Sequence, residues 1–72
     1  MAELERVIAE IRAERDTPAA RRWCVEVWAV GLRLGEAEGL AWGRMVLDGC
    51  RRLNGHEAWL RSAVPGGAGD RA

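Results

Sequence analysis

Few residues in this sequence could carry out chemistry, and their spacing does not bring them together. Cysteine occurs at Cys24 and Cys50, outside any CxxC pair, and His56 is the one histidine. A structural zinc site normally needs four closely spaced ligands, so these three fall short unless a second chain contributes. His56 and Glu57 are neighbours, and on a helix they would point about 100° apart, which argues against a simple acid–base dyad.

The remaining candidates for catalysis are equally isolated. Ser62 is the single serine and Thr17 the single threonine, and Cys24 has no nearby histidine to activate its thiol. The sequence contains no glycine loop of phosphate-binding form. We therefore predict a non-enzymatic protein with no catalytic residues, no metal site and no cofactor. We expect both cysteines to be small buried apolar residues.

Length and charge narrow the classes of function. A chain of 72 residues forms one domain and buries only about 60% of its unfolded surface, so a second subunit or a partner protein is expected to add stability. Eleven arginines balance eleven acidic residues, and lysine is absent. Zero net charge disfavours a general nucleic-acid binder and an anionic membrane surface. The bias towards arginine, alanine and glycine indicates a GC-rich bacterial or phage genome.

The position of the apolar segments predicts a cytoplasmic protein. The first fifteen residues are charged throughout and lack the basic start and apolar core of a signal peptide. The longest apolar run, Trp23 to Leu32, is interrupted by Glu26 and is too short to span a bilayer.

Hydrophobic periodicity predicts an all-α fold of three main helices and a short fourth in an up-down arrangement. Leu4, Val7, Ile8 and Ile11 form one stripe on a first helix from Ala2 to Arg15. Thr17 is expected to cap a second helix that starts at Pro18 and ends near Leu34. Gly35 is a natural helix end.

The second half of the chain predicts two more helices and a tail. A third helix is expected from about Glu36 to Leu53. Asn54-Gly55 should end it, with Asn54 capping a short helix from His56 to Ala63 that turns Trp59, Leu60 and Ala63 inward. We assign residues 1–64 to the bundle and 65–72 to a disordered, glycine-rich tail. The predicted core is Val7, Ile11, Trp23, Val27, Val30, Leu40, Val46, Leu47, Leu53 and Leu60.

Glycine recurs every four residues at positions 31, 35, 39 and 43. If the second and third helices were one, these glycines would form a groove for close backbone approach. The favoured interpretation is a hairpin, in which Gly35 is the turn and the others make tight contacts. The glycine pattern alone does not decide between one continuous helix and a hairpin.

The four tryptophans are the other unusual feature, since the chain has no tyrosine or phenylalanine. Tryptophan is rarely fully buried and dominates binding hot spots. On the second helix, Trp23 and Trp28 point to different sides, and so small a chain cannot easily cover both. Trp28 with Leu32 is therefore the first choice for an intermolecular surface. The full predicted interface is Trp28, Leu32, Gly35, Gly39, Trp42 and Trp59.

Two arginine pairs, Arg21-Arg22 and Arg51-Arg52, are expected to form a solvated or ion-paired face. The alternative is contact with an anion or an acidic partner.

Three functions remain open. The first is a protein that binds another protein as an adaptor or inhibitor, such as the small proteins by which phages and mobile elements block host complexes. The second is a helix-turn-helix DNA-binding regulator, against which the acidic start Glu36-Ala37-Glu38 of its reading helix counts. The third is a structural homo-oligomer, for which a dimer is favoured.

Overall fold

Three helices make up the structure, a computed structural model that describes residues 1–63. They are α1 (Ala2–Glu14), α2 (Pro18–Leu34) and α3 (Glu36–Ala63). These residues contain no strand, which confirms the all-α prediction for this part of the chain. Contacts between successive helices give an up-down-up arrangement, so α1 and α3 run in the same direction. None of the three helices is long and apolar enough to cross a membrane.

The start of α2 follows the predicted capping. Thr17 Oγ1 accepts a hydrogen bond of 3.1 Å from the backbone N–H of Ala20, and Pro18 occupies the first helical position. The hydroxyl satisfies one of the four N–H groups that a helix start leaves free, and proline lacks the donor that would be unpaired there. The sequence therefore predicted the start of α2 correctly, and the helix ends at Leu34, also as predicted.

Gly35 alone joins α2 to α3. Its backbone has φ 105° and ψ 160°, a conformation that only glycine adopts readily. Its N–H donates to the Gly31 carbonyl and its carbonyl accepts from the Gly39 N–H, each at 3.0 Å. Residues 31 to 43 are thus a helical hairpin, the interpretation that the sequence favoured.

The two helices of the hairpin approach each other through glycine. A Cβ on Gly39 would lie 2.8 Å from the Gly31 Cα, and a Cβ on Gly43 would lie 2.8 Å from Val7 Cγ1. Leu4 Cδ2 fills the space above Gly31, where it would clash with a Cβ. No side chain fits at these three glycines without moving a neighbour, so the glycine repeat is used for packing within the chain.

The predicted break at Asn54-Gly55 is wrong, because α3 continues through it to Ala63. The residues predicted to form a separate fourth helix are the last turns of α3. Asn54 does not cap a following helix. Its side-chain amide donates instead to the carbonyl oxygen of Glu14 at 2.7 Å, and Glu57 pairs with Arg15. These contacts tie α3 to the end of α1. The predicted tail, 65–72, lies outside the described residues.

The core lies between the three helices. Its buried members are Leu4, Val7, Ile11, Ala20, Cys24, Val27, Leu47 and Cys50. The prediction is confirmed for Val7, Ile11, Val27 and Leu47 and for the burial of both cysteines. Trp23, Val30, Leu40 and Val46 are only partly buried.

Leu53 and Leu60, predicted for the core, are instead 44% and 41% exposed. Trp59, predicted to turn inward, is 62% exposed. The cause is the length of α3. At about 1.5 Å per residue its 28 residues extend about 42 Å, against about 26 Å for the 17 residues of α2. Every residue of Gly55–Ala63 is exposed, and this segment is called the α3 extension below.

Candidate protein-interaction surface

The described fold buries none of its four tryptophans completely. Trp23 and Trp28 are partly buried, whereas Trp42 and Trp59 are exposed. Trp23 and Trp28 flank α2 on opposite sides, as the helical geometry predicted. Each therefore contributes to a separate apolar surface.

The first surface is the α1–α2 groove, formed by Ile8, Cys24, Val25 and Trp28. It is a depression of about 350 Å³, with Glu5 and Arg12 at its rim. Val25 and Leu32 extend the apolar area along α2, and each is about two-thirds exposed. Trp28 and Leu32, the sequence's first choice for an interface, lie on this side of α2.

The second surface is the α2–α3 face, formed by Trp23, Val30, Trp42, Met45, Val46 and Leu53. Two adjoining depressions of about 270 and 370 Å³ share Trp23 and Val46. Val27 lines the first and Gly49 the second. Met45 is 64% exposed and Trp42 is 49% exposed, so this face carries more large apolar side chains than the groove.

Sequence analysis found only part of the α2–α3 face. It assigned Trp42 to an interface, and it placed Trp23, Val46 and Leu53 in the core. Met45 was assigned to neither. The four-three spacing of the apolar residues of α3 marks them as one stripe, but spacing does not say whether another helix covers that stripe.

The other predicted interface residues lie apart from these surfaces or at their edges. Gly39 is buried against Gly31 within the hairpin, so in this fold it meets the chain itself. Gly35 is exposed at the turn. Trp59 lies on the α3 extension, where its ring stacks on His56 with centroids 6.1 Å apart.

Three of the four paired arginines have carboxylate partners within the chain. Arg21 Nε donates to Asp16 Oδ1 at 2.7 Å, and Arg52 pairs with Asp48 at 2.8 Å. Arg51 lies 3.4 and 3.5 Å from the carboxylates of Glu10 and Glu14. No such partner is seen for Arg22 among the described residues. The hydrogen bond and charge of Arg21 hold the pKa of Asp16 below its ordinary value.

The groups that could do chemistry stay apart. Cys24 and Cys50 are buried in the core with free thiols, and burial raises the pKa of Cys50, which leaves it less nucleophilic. His56 lies on the α3 extension, and its neighbour Glu57 is engaged by Arg15. Within residues 1–63, no three histidine, cysteine or acidic side chains are placed to hold a metal ion together.

The chain matches no protein-family model, and no curated protein or solved structure is significantly similar to it. Any function must therefore be inferred from the residues themselves.

Proposed function

We propose that this chain is a non-enzymatic protein that acts by binding another protein, as an adaptor or an inhibitor. The observation that supports this most directly is the exposure of apolar side chains on both sides of α2, with no tryptophan fully buried. Contiguous apolar area of this kind is typical of interaction sites, and tryptophan is enriched among residues that dominate binding energy.

The α1–α2 groove is the proposed site for the partner protein. Trp28 is partly buried, so its ring is held by its neighbours before binding and loses little freedom when a partner covers it. Leu32 and Val25 are exposed beside it, and the rim carries one acidic and one basic residue, Glu5 and Arg12. An apolar centre with a charged rim is the usual anatomy of a protein interface. The partner that fits is an apolar segment flanked by both charges.

The hairpin gives no support to the helix-turn-helix alternative. Helix-turn-helix motifs join two helices at a wide angle through a turn of about three to four residues. Here the single residue Gly35 joins α2 and α3, and contacts at Gly31–Gly39 and Val27–Gly43 lie at equal spacing on either side of it. The first turn of α3 also carries Glu36 and Glu38, which would repel DNA phosphates.

Substitutions at exposed apolar residues in the groove and directly beside it test the proposal without disturbing the core. Leu32→Gln and Val25→Gln each remove an apolar side chain that the fold leaves largely exposed. Arg33→Ala, at an exposed position of the same helix, is the matched control. A partner protein is first captured with the native chain and identified. Once purified, this partner should bind the purified native protein directly.

For that partner, each groove substitution should weaken affinity by about tenfold or more, as expected for the centre of an interface, and Arg33→Ala should leave it unchanged. Circular dichroism confirms that each variant is folded. Equal affinity for native protein and both groove variants would rule out this site.

A further inference from the structure

Because α3 is continuous, several of its apolar residues, from Trp42 to Ala63, lie on a single line along one side of the helix. Positions 42, 46, 49, 53, 56, 60 and 63 follow one another at alternating intervals of four and three residues, the spacing of a coiled-coil seam. We call this line the α3 seam; its members are Trp42, Val46, Gly49, Leu53, His56, Leu60 and Ala63. α2 covers only one flank of it near Val46, and no helix of the described chain covers it beyond Leu53.

Packing within the chain does not explain why position 49, on the seam, is a glycine. A Cβ on Gly31, Gly39 or Gly43 would meet a neighbour closer than 3 Å, whereas a Cβ on Gly49 would meet nothing within 4 Å. A glycine inside a helix costs about 1 kcal/mol relative to alanine. Gly49 leaves a gap on the seam one helical turn from the protruding side chain of Leu53.

The charges of α3 favour an antiparallel neighbour. Its first turn carries Glu36 and Glu38, and its last turn carries Arg61. Glu26 adds a further negative charge at the rim of the depression that Trp42 lines. A parallel copy of α3 would bring like charges together, whereas an antiparallel copy sets Arg61 beside Glu26 and opposes the two helix dipoles.

We propose that the α3 seam binds the α3 seam of a second copy of this chain in antiparallel orientation. Leu53 of each copy occupies the gap at Gly49 of the other. The same register sets Leu60 of one copy against Trp42 of the other, so that each α3 extension covers part of the other copy's α2–α3 face. A second copy is the occupant that matches the seam in shape, because the gap and the side chain that fills it lie on the same line. It matches in charge at the two ends, where Arg61 meets Glu26. At the centre Arg51 and Arg52 of both copies come together, and each is paired with a carboxylate of its own chain.

This inference concerns a different surface from the α1–α2 groove and does not depend on the proposed partner. The first experiment is molar mass by light scattering coupled to size exclusion, from micromolar to millimolar concentration. The native chain should approach twice its 7.9 kDa mass and dissociate on dilution. A native chain that stays monomeric throughout overturns the proposal.

Two glycine variants locate the interface. Gly49→Gln fills the gap on the seam and should raise the dimer dissociation constant by at least about tenfold. Gly55→Gln is the matched control: its Cβ also meets nothing within 4 Å, but position 55 lies off the seam. It should leave the dimer intact. Both variants should keep native helix content by circular dichroism. A dimer that tolerates Gly49→Gln as well as Gly55→Gln overturns the proposal.

A charge exchange tests the orientation. Arg61→Glu and Glu26→Arg should each weaken the dimer by about two- to fivefold, the range for exposed ion pairs, and the double variant should recover native affinity. Failure to recover overturns the antiparallel arrangement.

If Gly49→Gln is monomeric but still binds the partner protein, the two sites are separate. If the chain is monomeric and the groove variants lose the partner, only the seam inference fails.

Discussion

The side-chain amide of Asn54, in the middle of α3, donates a hydrogen bond of 2.7 Å to the backbone carbonyl oxygen of Glu14 at the end of α1. The same nitrogen lies 3.1 Å from Glu14 Oε1. The last carbonyls of a helix have no partner within the helix, so this bond satisfies a group that would otherwise depend on water. It also fixes the end of α1 against α3.

Asn54→Ala should therefore destabilise the fold, even though alanine favours helix more than asparagine does. Loss of the bond costs about 1 kcal/mol, partly offset by about 0.5 kcal/mol of helix propensity. Urea unfolding at a fixed protein concentration measures the difference. Glu14→Gln is the matched control, because it keeps the backbone carbonyl and should cost less. An Asn54→Ala variant more stable than the native protein by the full gain in helix propensity, about 0.5 kcal/mol, would show that the bond contributes nothing.

Gly39→Ala should be strongly destabilising. Its Cβ would lie 2.8 Å from the Gly31 Cα and 3.1 Å from both Gly31 N and Leu4 Cδ2. Backbone atoms cannot move aside as a flexible side chain can, so α2 and α3 must separate. Overpacking costs about 1 to 3 kcal/mol, and because the clash is with backbone atoms we expect the upper part of this range, which exceeds the gain of about 1 kcal/mol in helix propensity.

Gly55→Ala supplies the comparison for Gly39→Ala, since nothing lies within 4 Å of its Cβ. It should stabilise the protein by about 0.5 to 1 kcal/mol through helix propensity alone. The two melting temperatures should thus move in opposite directions. A Gly39→Ala variant that melts at or above the native temperature would contradict the close approach of α2 and α3.

The features that sequence analysis predicted correctly depend on local chemistry. Thr17, Pro18 and Gly35 fix the ends of α2 through their own backbone geometry and caps, and these residues are visible in the sequence. The break at Asn54 was wrong because its hydrogen-bond partner, Glu14, lies 40 residues away. Local propensity at Asn54-Gly55 favours a helix end, and the contacts with α1 outweigh it.

The same limit applies to the candidate surfaces. The sequence placed Leu53 and Leu60 in the core, but spacing could not tell that Leu53 lies in an open depression beside Trp23 or that α2 does not extend as far as Leu60. Trp28 and Leu32 were predicted as a surface because they lie on the side of α2 away from Trp23, a relation that helix geometry alone establishes. The identity of the proposed partner depends on residues outside this chain.

The buried thiols should react only when the chain unfolds. Cys24 is 2% exposed and Cys50 is fully buried, and burial raises the pKa of the Cys50 thiol, which lowers its thiolate fraction at neutral pH. A chromogenic disulfide reagent should modify native protein slowly and protein in denaturant at once. The rate should increase in Gly39→Ala, because opening of the hairpin exposes the core. Rapid reaction of either thiol in native buffer would contradict the described core.

Acid titration of Asp16 provides a test of the loop between α1 and α2. The hydrogen bond from Arg21, then its positive charge, holds the pKa of Asp16 below the ordinary value of 3.8, with a smaller contribution from Arg12. The carboxylate is thus favoured in the folded state. Its small contribution to stability is present above about pH 3.8 and is lost as the pH falls through the lowered pKa.

The carboxyl carbon shift of Asp16, followed by NMR, measures this pKa directly. Arg21→Ala should raise it towards 3.8, because both the hydrogen bond and the main opposite charge are removed. Arg22→Ala removes an arginine that does not contact Asp16 and should leave the titration unchanged. If the two variants shift the Asp16 titration equally, general charge and not the 2.7 Å contact sets its pKa. The contact would then be absent in solution, and the solvated alternative for Arg21 would hold.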